Sequence, residues 1–430
     1  MQRIAFISEH ASPLAALGGT DSGGQNVYVA HLARELARLG YLVDVYTRRE
    51  DPLQPQVIDW RAGVRVIQVD AGPACILSKE SLLPHMAEFG HAMLRFMRMA
   101  GISYQLVHAN FFMSGMVAQQ LKRLTGVPYV ITFHALGRVR RLCQGQADGF
   151  PDARFAIEES LMRDADCVIA ECEQDQRDML ELYDGAPSRL AIVPCGFDPD
   201  EFWPMGDSAR KRLGLPEQEF IVLQLGRMVP RKGVDNVLQA MRVLRDEHQI
   251  SGLLLIVGGE AAHADPMATA ELRRLAGIAR RLGLAEQVQF TGAQPRQRLR
   301  EYYSAADVFV TTPWYEPFGI TPLEAMACAK PVVGSAVGGI RSTVLDQKTG
   351  FLVPPHDPEA LAQRLAQLQR DPALAEKMGW TGLRRAQRHF TWSRVATQLA
   401  GIYRTVLARQ MRFDALRPLS IGGETTGLVQ

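Results

Sequence analysis

One unit recurs along most of this chain: a short apolar run, a loop bearing glycine or proline, then a segment with helical spacing. Arg3 to Ser8 is the first run, and Val27 to Leu39 then sets Val29, Leu32, Ala33, Leu36 and Leu39 on one helical face. Gly40 closes that helix and Tyr41 to Thr47 is the next run. This βαβ opening predicts a doubly wound sheet, since parallel strands need a crossover long enough to hold a helix. Further strands are predicted at 64–69, 106–110, 128–132, 168–170 and 190–193. A second series opens at 220–225 and continues at 253–258, 288–291, 308–310, 331–333 and 350–353. Helices are predicted at 113–124, 361–368, 372–386 and 392–409, and Leu77 to Leu83 reads as a helix start. A chain of 430 residues exceeds one hydrophobic core and suits two domains.

Composition excludes several classes. The net charge of +2 offers no electrostatic footprint for nucleic acid. No apolar run reaches the roughly 18 residues of a membrane span. The N-terminus, MQRIAFISEH, reads as a strand rather than a signal peptide. Six scattered cysteines form no CxxC pair and are expected to be reduced core residues. A cytoplasmic location is the expectation.

Four loops carry the candidate chemistry. After the run at 308–310 comes TPWYEPFGITPLEAMA, Thr312 to Ala327. Pro317 and Gly319 break the chain, and Thr321, Pro322 and Glu324 read as N-cap, first helical position and capping-box acid. Free N–H groups and the dipole at such a helix start favour an anion. Glu316 and Glu324 bracket the loop; a solvated Glu316 and a Glu324 that only closes its cap form the plain alternative. GRMVPRKG puts Arg227, Arg231 and Lys232 around a turn at a strand end. TDSGGQ places Gly23, Gly24 and Gln25 just before a helix, where backbone can face an anion. It lacks the GxGxxG spacing of dinucleotide enzymes. TFHALGR sets His134 at the C-terminal end of a parallel strand, where open α/β sheets bind ligands.

Together these strings, in this order, resemble the retaining glycosyltransferases of the GT-B fold, in the group of sucrose-phosphate synthase and mycothiol glycosyltransferase. The resemblance spans about residues 1 to 408. It implies an α/β fold of two Rossmann-like doubly wound domains facing a cleft. The acceptor domain would comprise 1–193 plus 392–417, with the last helix crossing back to it, and the donor domain 197–390. It implies transfer of a hexose from a nucleotide sugar, UDP-linked, to an acceptor hydroxyl. Arg227 and Lys232 would clamp the diphosphate, and Arg231 falls outside the matched pair. Glu316 would contact the donor sugar, Glu324 the ribose, and the backbone of Phe318, Gly319 and Ile320 the hydroxyls and phosphates. The loop of Gln294 would hold the base, Gly23 and Gly24 would touch the donor phosphate, and His134 would lie beside the transferred sugar. On the acceptor side the resemblance implies Gln25, Lys79 and Arg154, residues suited to a sugar phosphate such as fructose 6-phosphate. Phe111 and Ala135 stand where the mycothiol pattern has a tyrosine and a threonine, so two hydroxyls are lost. The resemblance further implies no cofactor and no metal, with the Asp198-x-Asp200 string serving as interdomain linker. The cluster Arg138, Arg140, Arg141 reads first as a solvated helix face, with a phosphate patch and a membrane-docking surface as alternatives. A glycan or lipid acceptor, a nucleotide-sugar epimerase and a non-catalytic nucleotide-sugar sensor are the competing functions.

Overall fold

The computed structural model describes residues 2–15, 23–206, 208–259, 265 and 269–416. Sequence expectations for residues 18–22, for most of the 261–268 loop and for the tail from 418 lie outside these residues.

The first sheet holds eight strands: β1 (Arg3–Ile7), β2 (Leu42–Arg48), β3 (Val57–Arg61), β4 (Val64–Val69), β5 (Leu106–Asn110), β6 (Tyr129–Thr132), β7 (Cys167–Ala170) and β8 (Leu190–Ile192). Their spatial order is β3-β4-β2-β1-β5-β6-β7-β8. The second sheet holds β9 (Ile221–Leu225), β10 (Leu253–Val257), β11 (Val288–Gly292), β12 (Val308–Thr311), β13 (Val332–Ser335) and β14 (Gly350–Val353). Its order is β11-β10-β9-β12-β13-β14, every pair parallel. Both are doubly wound sheets, so the expected fold class holds. Their apolar runs are buried on both faces, as in β9, β10 and β12, where every residue is buried.

Strand order reverses beside β1 in the first sheet and beside β9 in the second. Two adjacent strands there send their crossovers to opposite faces and leave a crevice at their C-terminal ends. The loops after β1 and β5, and after β9 and β12, therefore face ligand space.

The two connections between the sheets run side by side. Phe197 N–H donates to Phe390 O at 2.8 Å, and Trp392 N–H donates to Phe197 O at 3.1 Å. The last helix, Trp392–Leu416, then packs along Gly24–Arg38 on the first sheet. Its Tyr403 hydroxyl lies 2.6 Å from Nδ1 of buried His108.

Three local expectations are corrected. β3 is an antiparallel edge strand that the sequence reading omits, because its exposure alternates and no buried run marks it. Residues 77–83 form no α-helix: 3-10 turns at Lys79–Ser81 and Leu83–His85 precede a helix at Met86–Met99, with Pro84 inside the second turn. The helix of the 312–327 stretch begins at Ile320, capped by the backbone of Gly319 at φ 88°. Glu324 is therefore the fifth helical residue and closes no capping box; Gly319 tolerates the left-handed conformation and starts the helix two residues early.

Candidate active site

A cavity of about 310 Å³ lies between the C-terminal edges of the two sheets. It is lined by Gly23, Gly24, Gln25, Lys79, His134, Arg227, Lys232, Gln294, Glu316, Phe318, Gly319, Ile320 and Glu324. These come from separate loops of both halves, and every candidate residue but Arg154 is among them.

The second sheet's wall centres on one ion pair, in which Lys232 Nζ donates to Glu316 Oε2. Lys232 is on the short turn after β9 and Glu316 on the loop after β12, the two strands of the switch point. Burial pulls the Lys232 ammonium below its ordinary value, partly offset by Glu316. Burial pushes the Glu316 carboxyl up, but Lys232, Arg231 and Arg227 together outweigh it and hold it below its ordinary value. The wall is thus poised for negative charge. Glycine allows the loops to meet: a Cβ on Gly338, at φ 43°, would fall 1.9 Å from Glu316 O, and one on Gly233, at φ 65°, 2.1 Å from Thr312 O. Across the cleft, a Cβ on Gly23 would lie 3.7 Å from Arg227 Nε, and one on Gly24 3.6 Å from Ile320 Cδ1. Gly23 and Gly24 of the first half therefore stand within ordinary contact range of the second half's Arg227 and Ile320.

Glu324 is buried and doubly bonded. Arg296 Nη1 donates to its Oε1 at 2.9 Å and Tyr303 OH to its Oε2 at 2.9 Å. Burial raises its carboxyl above the ordinary value despite Arg296. Arg296 also donates to Glu201 Oε2 at 2.7 Å. Gln294 lines the cavity and donates to Thr291 O at 2.9 Å.

On the first half, His134 follows β6 with φ 58°, a left-handed conformation uncommon outside glycine. Nδ1 lies 3.1 Å from Glu171 Oε1 and Nε2 lies 3.1 Å from Asn110 Oδ1. The Asn110 amide donates from Nδ2 to Ile7 O at 3.3 Å, which turns its oxygen toward the imidazole. The Tyr28 ring packs edge-on against His134, with centroids 4.7 Å apart. These contacts over-determine a strained backbone, the arrangement that persists at ligand sites. Gln25 Nε2 donates to Ser8 Oγ at 3.3 Å and to Asn110 O at 3.2 Å.

The structure does not bring Arg154 to the cavity. Its side chain is fully buried, donates to Glu158 at 2.7 Å and to Ala135 O, and lies over the rings of Phe111, Phe112 and Phe150. In this apolar box the guanidinium serves the packing of the first half, so an acceptor contact is not what this geometry offers. Lys79 does line the cavity, 3.6 Å from Glu80. The neighbouring cluster is neutralised: Arg138 pairs with Glu159, Arg140 with Asp148 and Arg141 with Asp152.

Asp198 of the D-x-D string accepts from Arg34 at 2.6 Å and caps Asp200 N–H at 2.9 Å. With His31 and Glu201 it forms a group whose ligand atoms lie within 4.8 Å of one another. Arg34 and Arg296 already hold its two carboxylates, and His31 stacks on Trp392 at 5.4 Å. This donor set fits an ion network between the halves.

Sequence reasoning missed Glu171, Arg296 and Tyr303, and it set Arg231 aside although this residue lines the cavity. Glu171 directly follows buried β7, so the strand-end rule that picked out His134 reaches it too. Arg296 opens a helix, where a cation opposes the dipole and signals a partner elsewhere.

Residues 23–196 match the family described as Glycosyl transferase 4-like domain, and residues 206–385 match Glycosyl transferases group 1. A D-inositol 3-phosphate glycosyltransferase of Corynebacterium jeikeium is 37% identical over 406 residues, covering 93% of this chain and 96% of its own. One from Kineococcus radiotolerans is also 37% identical, over 94% and 95%. Among solved structures, sucrose-phosphate synthase from Thermosynechococcus elongatus superposes with a TM-score of 0.86 at 37% identity, covering 95% of this chain and all of its own.

Proposed function

The chain belongs to the group 1 glycosyltransferases, and on that premise we propose that it moves a hexosyl group from a UDP-linked sugar to an acceptor hydroxyl, retaining the anomeric configuration and using no divalent metal. The observation that carries this reading is the Lys232–Glu316 pair beside Arg227, facing Gly23 across one cavity. Cationic side chains, the Ile320 helix start and the glycine backbone form a preorganised cradle for a diphosphate whose charge grows as the glycosidic bond breaks.

In this reading residues 197–390 hold the donor, and residues 1–193 with the returning helix hold the acceptor. Arg227 and Lys232 take the diphosphate. Glu316 meets the sugar, and Glu324 exchanges part of its Arg296 and Tyr303 bonding for the ribose hydroxyls. His134 borders the sugar from the opposite wall, held by Glu171. The acceptor hydroxyl attacks on the face from which the diphosphate leaves: its oxygen bonds to the anomeric carbon, the carbon–phosphate oxygen bond breaks, and the departing β-phosphate oxygen takes the hydroxyl proton. Gln25 and Lys79 orient the acceptor. The relatives are named for a phosphorylated cyclitol and for sucrose phosphate, and a sugar phosphate such as fructose 6-phosphate is the acceptor we assign.

The test is a screen of UDP-, GDP- and ADP-hexoses with hexose phosphates, the product's anomeric configuration being read by NMR, with and without EDTA. Transfer from the UDP sugar with retention, unchanged by EDTA, is expected. Inversion, or loss of transfer restored by magnesium or manganese, refutes the proposal. Epimerised donor without transfer would move the chain to the epimerase reading.

A further inference from the structure

The loop that carries Glu316 is held from both halves of the molecule. Its own half fixes Glu316 itself: Lys232 Nζ donates to the carboxylate, and Gly339 N–H donates to Glu316 O at 3.0 Å. The residues on either side are bonded from the first half. Gln144 Nε2, at the end of the helix Gly137–Gln144, donates to the Tyr315 hydroxyl at 2.8 Å. Cys172 Sγ donates to Pro317 O at 3.2 Å.

The thiol is aimed and kept protonated. Cys172 caps the helix Glu173–Tyr183, where its sulfur also accepts from Asp175 N–H at 3.3 Å. Burial pushes the thiol up to about 12, so it keeps a hydrogen to donate. Packing behind the loop is sparse. A second cavity, of about 260 Å³, separates Leu136, Val139 and Asp175 of the first half from Tyr315, Glu316 and Pro317. Side chains facing a void lose their dispersion partners on that side. The two hydrogen bonds, more than close packing, therefore set where the loop stands against the first half.

Resting on the transferase reading above, we propose that Gln144 and Cys172 are positioning residues for Glu316: they register its loop on the acceptor half, so the carboxylate keeps its working place beside the donor sugar only while the halves stand together. Neither side chain lines the main cavity, so each acts through the loop. Separation of the halves breaks both bonds at once and leaves Glu316 held by its own half alone.

Two measurements on the full chain test this. The first is hydrogen exchange of the 315–319 amides without ligand, read by mass spectrometry. Gln144→Leu and Cys172→Ala should each speed that exchange by about three- to tenfold, the scale of one neutral hydrogen bond, and leave the amides of β9 unchanged. Cys172→Ser, which keeps a donor and a cap, should recover part. The second is turnover with a UDP-hexose at saturation. Gln144→Leu and Tyr315→Phe remove the same bond from opposite halves, so each should lower turnover by about three- to tenfold and the double variant by no more than either alone. UDP affinity should stay within about threefold, since a contact spent on positioning lowers kcat more than it raises KM. Unchanged exchange at 315–319 in Gln144→Leu overturns the proposal. So do turnover losses that multiply in the double variant, or a UDP affinity that falls in step with turnover. A wild type that transfers from no hexose donor would count against the transferase reading, and the exchange measurement would still decide whether the first half holds the loop.

Discussion

Replacing Lys232 with alanine separates two roles that the structure gives it. The side chains of Lys232 and Glu316 each keep 15% exposure and face one another. Stranding one member of a buried ion pair costs about 3–5 kcal/mol when nothing else compensates. Here Arg231 and Arg227 also bear on Glu316, so the loss should be nearer the ~1–3 kcal/mol of an unsatisfied buried polar group. The catalytic loss is separate. Removing a preorganised stabiliser of developing charge lowers turnover by about 100-fold or more, equal to roughly 2.7 kcal/mol. Turnover at saturating donor and denaturant melts are measured for Lys232→Ala, for the Lys232→Ala/Glu316→Gln double variant, and for Lys211→Ala as an exposed control, since Lys211 keeps 72% exposure. The double variant removes the stranded charge, so stability should return while turnover stays low. Wild-type turnover in Lys232→Ala, or turnover that returns together with stability in the double variant, would refute the clamp.

Three further outcomes follow from particular contacts. Glu324→Gln should raise the donor KM more than it lowers kcat, because a ribose contact is similar in ground and transition states; an equal fall in kcat and kcat/KM would reassign the residue. Gly338→Ala should lose donor affinity and melt early, since its Cβ meets Glu316 O at 1.9 Å at a φ of 43°; wild-type UDP binding in this variant would show that the loop is not held where it is described. His31 and His108 are held near about 3 by burial, against an ordinary 6.5. The unfolded chain therefore binds their protons first, and the melting temperature should fall as pH drops from 6.5 toward 3. His108→Gln should flatten that slope, and an unchanged slope would place the acid sensitivity elsewhere.

Within the structure, legibility in the sequence followed the range of the interaction. The inner strands β9, β10 and β12 of the second sheet were readable because each is an apolar run buried on both faces, and the helix after β1 because amphipathic spacing is local. The alternating edge strand β3 left no such mark. His134, Lys232 and Glu316 each lie on the loop after a parallel strand, where such a sheet opens its ligand space, and the resemblance of those loops to family motifs singled them out. Glu171 obeys the same rule and shows that the rule was applied too narrowly.

The sequence by itself determined a series of short strands alternating with helices, enough for two doubly wound sheets, and which loops carry glycine or charge, since these depend on neighbours a few residues apart. Only the tertiary structure decided which charges meet. It turned Arg154 inward onto Glu158, gave Glu324 to Arg296 and Tyr303 in place of its own helix cap, and set Gly23 against Arg227 across the cleft. Such pairings are fixed by how crossover helices pack and how two sheets face one another. The spacing of residues along the chain carries no record of a contact made across two hundred of them.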